Sequence, residues 1–129
     1  MKQYEIFLHK GSVDLRAATH LYADFQAGDL ELDLEVVLFH CQQATEKFFK
    51  ALLSYSQIHI TKTHNLRELF KLIEDSAIVI PQSMKDLLPL TFFAVEGRYG
   101  IIHDDLADTE QYFLLLAELK EFVMRTIQI

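Results

Sequence analysis

Leu34, Val37, Leu38, Cys41, Ala44, Thr45, Phe48, Leu52 and Tyr55 recur at three- and four-residue steps. Sustained over roughly six turns, that period fits an α-helix and excludes a strand, whose side chains alternate with a period of two. Good helix formers fill the positions between. The same spacing runs through Tyr4, Phe7, Leu8, Leu15, Ala18, Leu21, Tyr22 and Phe25, and again through Tyr112, Leu115, Leu116, Leu119, Phe122, Val123 and Ile127. Any fold for this chain must bury three long apolar stripes against one another.

Shorter signals complete the layout. "QAGDLELD" breaks the first period and predicts a turn near Gly28. After "QIHITKT" the period restarts at "NLRELFKLIED", where Asn65 is placed to cap and Glu68 follows three residues on, so a third helix runs to about Asp75. "AIVI" has no partner strand and is closed by Pro81, which makes it a packed loop. Pro81 suits the first turn of a fourth helix through Leu87, Leu88, Thr91, Phe92 and Val95, with Gly97 as its stop. Asp108 or Thr109 can cap the last helix. The expected fold is all-α, an up-and-down bundle of about five helices forming a single domain over residues 1–129.

Composition narrows the function. With half of its residues hydrophobic and only 4 Gly and 2 Pro, the chain is neither disordered nor fibrous. Apolar residues never run together for the ~20 positions a membrane span needs, and the N-terminus is broken by charges where a secretory signal would be apolar. The lone Cys41 permits no internal disulfide and lies on an apolar stripe, as a small buried hydrophobe would. A reducing cytoplasmic setting follows. A net charge of −7 argues against a protein that coats nucleic acid. The charge is uneven, however: residues 40–71 carry five basic and two acidic side chains, against three and seven before them and four and ten after. In the basic third, Lys47 and Lys50 share one side of helix two with His40 and Gln43. They form either a groove for a nucleotide phosphate or a solvated lysine face beside the core. His59 and His64 lack metal-ligand spacing and a third ligand, so neither a metal nor a cofactor is expected.

The stretch "FHCQQATEKFFKALL" followed by "THNL" resembles the signature of the HEPN family, the higher eukaryote and prokaryote nucleotide-binding domain. The matching positions are Gln43, Ala44, Glu46, Lys47, Lys50 and Ala51, then Thr63, His64 and Leu66, and "EGRYG" resembles the Arg-Tyr pair found later in such chains. The resemblance implies a helical bundle that pairs as a homodimer in the prokaryotic cytoplasm, often beside a minimal nucleotidyltransferase in a toxin-antitoxin system, with RNA or a nucleotide as ligand. Some members are metal-independent ribonucleases whose active arginine and histidine stand four to six residues apart. Others are non-catalytic nucleotide- or partner-binding modules. Arg98 and His103, with four residues between them, fit the first pattern, while Tyr99 after the arginine is the residue found in members without nuclease function.

The two residue types suit the chemistry. Cleaving RNA without a metal takes a group that moves a proton at the 2′-hydroxyl or the leaving 5′-oxygen, and a fixed cation for the phosphorane's extra charge. Imidazole titrates near neutral pH and guanidinium holds two phosphate oxygens at once. On an unbroken helix the two would diverge by about 140°, so the pair needs the turn that Gly97 and Gly100 permit. Asp104 and Asp105 act in both directions, favouring an imidazolium at His103 and repelling a phosphate.

Overall fold

The computed structural model describes residues 1–94 and 106–128. Among the described residues the regular structure is four α-helices and one 3₁₀ segment: α1 (Gln3–Gln26), α2 (Leu34–Tyr55), α3 (Leu66–Glu74), the 3₁₀ segment Gln82–Phe93, and α4 (Leu106–Ile127). The expected all-α class holds, with no strand among the described residues. Nor is any helix there long and apolar enough to cross a membrane.

The strongest period in the sequence produces the central element. Every residue of α2 is buried or half-buried, with none exposed, because α1, α3, the 3₁₀ segment and α4 all pack against it. Its apolar stripe, from Val37 and Leu38 through Phe48, Phe49, Leu52 and Leu53, forms the middle of the core. α1 runs antiparallel to α2: Tyr4 meets Tyr55 edge-on with ring centroids 5.1 Å apart at one end, and Asp14 meets His40 nearer the other. The two helices lie close at the buried Gly11, where a Cβ would lie 2.9 Å from the Phe48 ring. The turn between them falls as expected, with Gly28 at φ +93°, a backbone conformation that a side chain would strain.

Asn65 caps α3, its Oδ1 accepting a hydrogen bond from the Arg67 N–H at 2.9 Å. The first α3 amide, Leu66 N–H, donates to Thr91 Oγ1 at 3.0 Å and ties the helix start to the 3₁₀ segment. "AIVI" is a loop between these elements, with Ile80 buried and Val79 exposed.

Two expectations change in detail. The fourth helix is 3₁₀, not α, and Pro81 stands at its N-cap while Pro89 lies inside it. Pro89 has no N–H to give an α ladder and its ring would collide with the carbonyl four residues back. The burial pattern agrees, since Met84, Leu87, Leu90 and Phe93 are all buried at strict three-residue steps, the period of a 3₁₀ helix with its eclipsed i and i+3 side chains. The last helix begins at Leu106, so Asp108 and Thr109 lie in its first turns and do not cap it. Val95 and Gly97, expected to end the fourth helix, lie outside the described residues.

Candidate functional site

Polar side chains on α2 gather into two clusters, each built around a carboxylate. In the first, Asp14 of α1 takes His40 and Lys47 of α2. His40 Nδ1 lies 3.2 Å from Asp14 Oδ1, and Lys47 Nζ pairs with Asp14 Oδ2. His40 and Lys47 stand seven residues apart, two helical turns, which places both on the side of α2 that faces α1. A carboxylate at Nδ1 favours the proton on that nitrogen and leaves Nε2 as the acceptor.

The second cluster centres on Glu46, only 4% exposed. Lys50 Nζ donates to its Oε2 at 2.9 Å; Gln42 Nε2 at 3.1 Å and His64 Nδ1 at 3.0 Å reach its Oε1. Gln42 also donates to the His64 carbonyl at 3.2 Å, and Gln43 Nε2 donates to Gln42 Oε1 at 2.6 Å. Burial alone would raise the Glu46 carboxyl above its ordinary value. Hydrogen bonds from Lys50 and Gln42, the Lys50 charge and the His64 bond outweigh it, so the group is held below the usual range and stays ionised.

These bonds explain why α3 starts where it does. The chain leaving α2 returns alongside it, and His64 locks that return onto Glu46 just ahead of the Asn65 cap. His64 thus packs against a carboxylate while its ring stays largely exposed.

Lys47, Lys50, His40 and Gln43 share α2 as expected but do not form one continuous free stripe. Lys47 and His40 turn to Asp14, Lys50 turns to Glu46, and each ammonium is matched by its own carboxylate. A phosphate reaching this face meets balanced charge, although the sequence segment is net basic. Arg98 and His103 lie outside the described residues. Asp14 and Glu46 are the partners that sequence reading missed. Glu46 left a trace, a lone acid flanked by the core residues Thr45 and Phe48; Asp14 left none, because 33 residues separate it from Lys47.

Cys41 is fully buried, and burial pushes its thiol up to about 12. It is the small core hydrophobe expected from its place on the stripe. A thiol reagent should therefore leave native protein unlabelled and modify one cysteine per chain once denaturant unfolds it; rapid labelling under native conditions would contradict this burial.

The fold defines an all-α bundle domain whose central helix is tied to α1 by half-buried ion pairs at Asp14 and to the start of α3 by the Glu46–His64 contact. The HEPN domain model matches residues 4–127, and the chain belongs to the HEPN domain family. A solved structure, that of an archaeal HEPN homologue, superposes with a TM-score of 0.68 over 98% of this chain and 99% of that one, at 18% identity. No curated protein matches significantly. Within the family signature, the Glu46–His64 bond joins its helix-two half to its Thr-His half.

Proposed function

We propose that the protein acts on RNA as a metal-independent endoribonuclease, with His103 moving the proton and Arg98 holding the phosphate. The observation that carries this reading is the pairing of Lys47 with Asp14 and of Lys50 with Glu46. A ligand phosphate would have to displace a carboxylate to engage either lysine, so phosphate chemistry falls to Arg98 and His103, which have four residues between them in a chain of this family. The segment holding them connects the 3₁₀ segment to α4, and both of those elements pack on α2. Attack of the 2′-oxygen on the adjacent phosphorus expels the 5′-oxygen and leaves a 2′,3′-cyclic phosphate. His103 moves the proton, and the Arg98 guanidinium balances the phosphorane's charge. In this reading the chain is the toxin of a toxin-antitoxin pair, and a minimal nucleotidyltransferase is its partner.

The purified protein should cleave RNA in the presence of EDTA, leaving 2′,3′-cyclic phosphate ends. His103→Ala should slow cleavage by about 10²–10⁴-fold with the helical circular dichroism unchanged, the range for loss of a general acid–base group. RNA left whole over a wide range of protein concentration would sink the assignment, as would equal cleavage by His103→Ala.

A further inference from the structure

α1 and α4 both pack on α2 and leave between them a groove of about 490 Å³. That volume lies within the ~300–1,000 Å³ of small-molecule sites. Its apolar wall is Leu15 of α1 with Phe113, Leu114 and Ala117 of α4. Leu114 stands 63% exposed on this wall, while Leu115, Leu116 and Leu119 of the same helix are buried. Tyr22 stacks on Phe113 with ring centroids 5.1 Å apart and hydrogen-bonds Glu110, which fixes the polar end of the groove. Leu15 and Ala117 each stand seven residues from that pair along their own helices, two turns or about 10 Å away.

Hydrogen-bonding capacity selects the ligand. Three polar side chains complete the lining among the described residues, Thr19 and Tyr22 of α1 and Glu110 of α4, and each has given its proton away or has none. Thr19 donates its hydroxyl proton to the Leu15 carbonyl at 2.8 Å. Burial, the Glu110 charge and the Glu110 bond hold the Tyr22 phenol above its ordinary range, so it keeps its proton and is the donor in that bond. An ionised glutamate only accepts. The groove therefore offers acceptors and no donor. Glu110 alone is charged among the lining residues; it is exposed and in no ion pair among the described residues. An anion would meet a carboxylate and acceptors, and a neutral apolar molecule would leave that carboxylate without a partner. A primary ammonium is a compact cation with three donors and no acceptor, the complement of this lining.

We infer that the α1–α4 groove binds a primary amine with an aryl or alkyl tail, its ammonium on Glu110 and its tail laid along Leu114 toward Leu15 and Ala117. The inference is independent of the ribonuclease reading, since it is tested by binding and not by cleavage. Phenylbutylammonium titrated into the full chain and followed by heteronuclear NMR should move the amides around Thr19, Glu110 and Leu114 saturably. It should bind about tenfold or more tighter than phenylbutanol, which has the same length without the charge. Anionic phenylbutyrate should not bind. Glu110→Gln keeps an acceptor for Tyr22 and removes the charge, so it should bring the amine and the alcohol to equal affinity with the thermal melt unchanged. Ala117→Phe, at an exposed position, should fill the apolar end and weaken the amine by about tenfold or more, the charge at Glu110 notwithstanding. Shifts that fail to saturate by about 10 mM amine would overturn the proposal. So would shifts centred on another face, equal binding of amine and alcohol by the native chain, or a preference for the amine that survives Glu110→Gln.

Discussion

Glu46→Ala is expected to destabilise the protein by about 3–5 kcal/mol, the cost of breaking a buried ion pair by removing one partner. Lys50, Gln42 and His64 all reach the Glu46 carboxylate, and Lys50 itself is only 15% exposed. Deleting the carboxylate leaves a half-buried ammonium and the Gln42 amide short of an acceptor, while the turn before α3 loses its tie to α2. Glu46→Gln keeps the shape and one acceptor oxygen but not the charge, so it should cost less than alanine and more than a surface substitution. Chemical denaturation of the three proteins tests this ranking. If Glu46→Ala unfolds within about 0.5 kcal/mol of the native chain, the Glu46 cluster does not stabilise the fold.

The same carboxylate sets an acid limit on stability. Its folded pKa lies below the unfolded value, so its contribution is fully present above the ordinary glutamate range near ~4.3. It is lost as pH falls through the folded value, where the native state must also take up the proton. Stability should therefore fall on acidification below about pH 4.3, and Glu46→Gln should flatten that part of the curve. An identical acid limb in Glu46→Gln would assign the loss to other carboxylates.

Much of this fold is legible in the chain because its helices announce themselves by period. The α2 stripe, the Gly28 turn and the Asn65 cap each rest on local spacing or local chemistry, and each falls where that spacing places it. The 3₁₀ segment was equally local. Met84, Leu87, Leu90 and Phe93 at strict three-residue steps with Pro89 among them carry the signal, but an α period laid over Leu87, Leu88, Thr91 and Phe92 obscures it. The α2 clusters were only half legible. Lys47 and Lys50 stand out as a basic pair, yet what they do is decided by Asp14 and Glu46, and no rule of spacing within α2 reports that Asp14 on α1 faces Lys47. Charge read along the chain left a phosphate groove and a solvated lysine face as alternatives for Lys47 and Lys50, and packing gives each of the two a carboxylate partner.

Gly11 offers the sharpest test of packing, because the expected effect of one substitution changes sign with its neighbour. Phe48 is fully buried, and Phe48→Ala should cost about 3–5 kcal/mol through lost burial and the cavity it leaves. In the native background Gly11→Ala gains roughly 1 kcal/mol of helix propensity. Its Cβ, however, would lie 2.9 Å from two atoms of the Phe48 ring and 3.4 Å from the Ala44 carbonyl. A ring with no exposed surface has no free space to retreat into, and overpacking of this kind costs about 1–3 kcal/mol, so the net effect is destabilising. With Phe48→Ala already present the obstacle is gone, the added methyl enters the vacated space, and Gly11→Ala should stabilise by roughly 1 kcal/mol. The interaction energy from the four proteins of this double-mutant cycle isolates the contact between α1 and α2. Equal effects of Gly11→Ala in both backgrounds would mean that α1 shifts to absorb the methyl, and that the close approach at Gly11 does not fix how the two longest contacting helices pack.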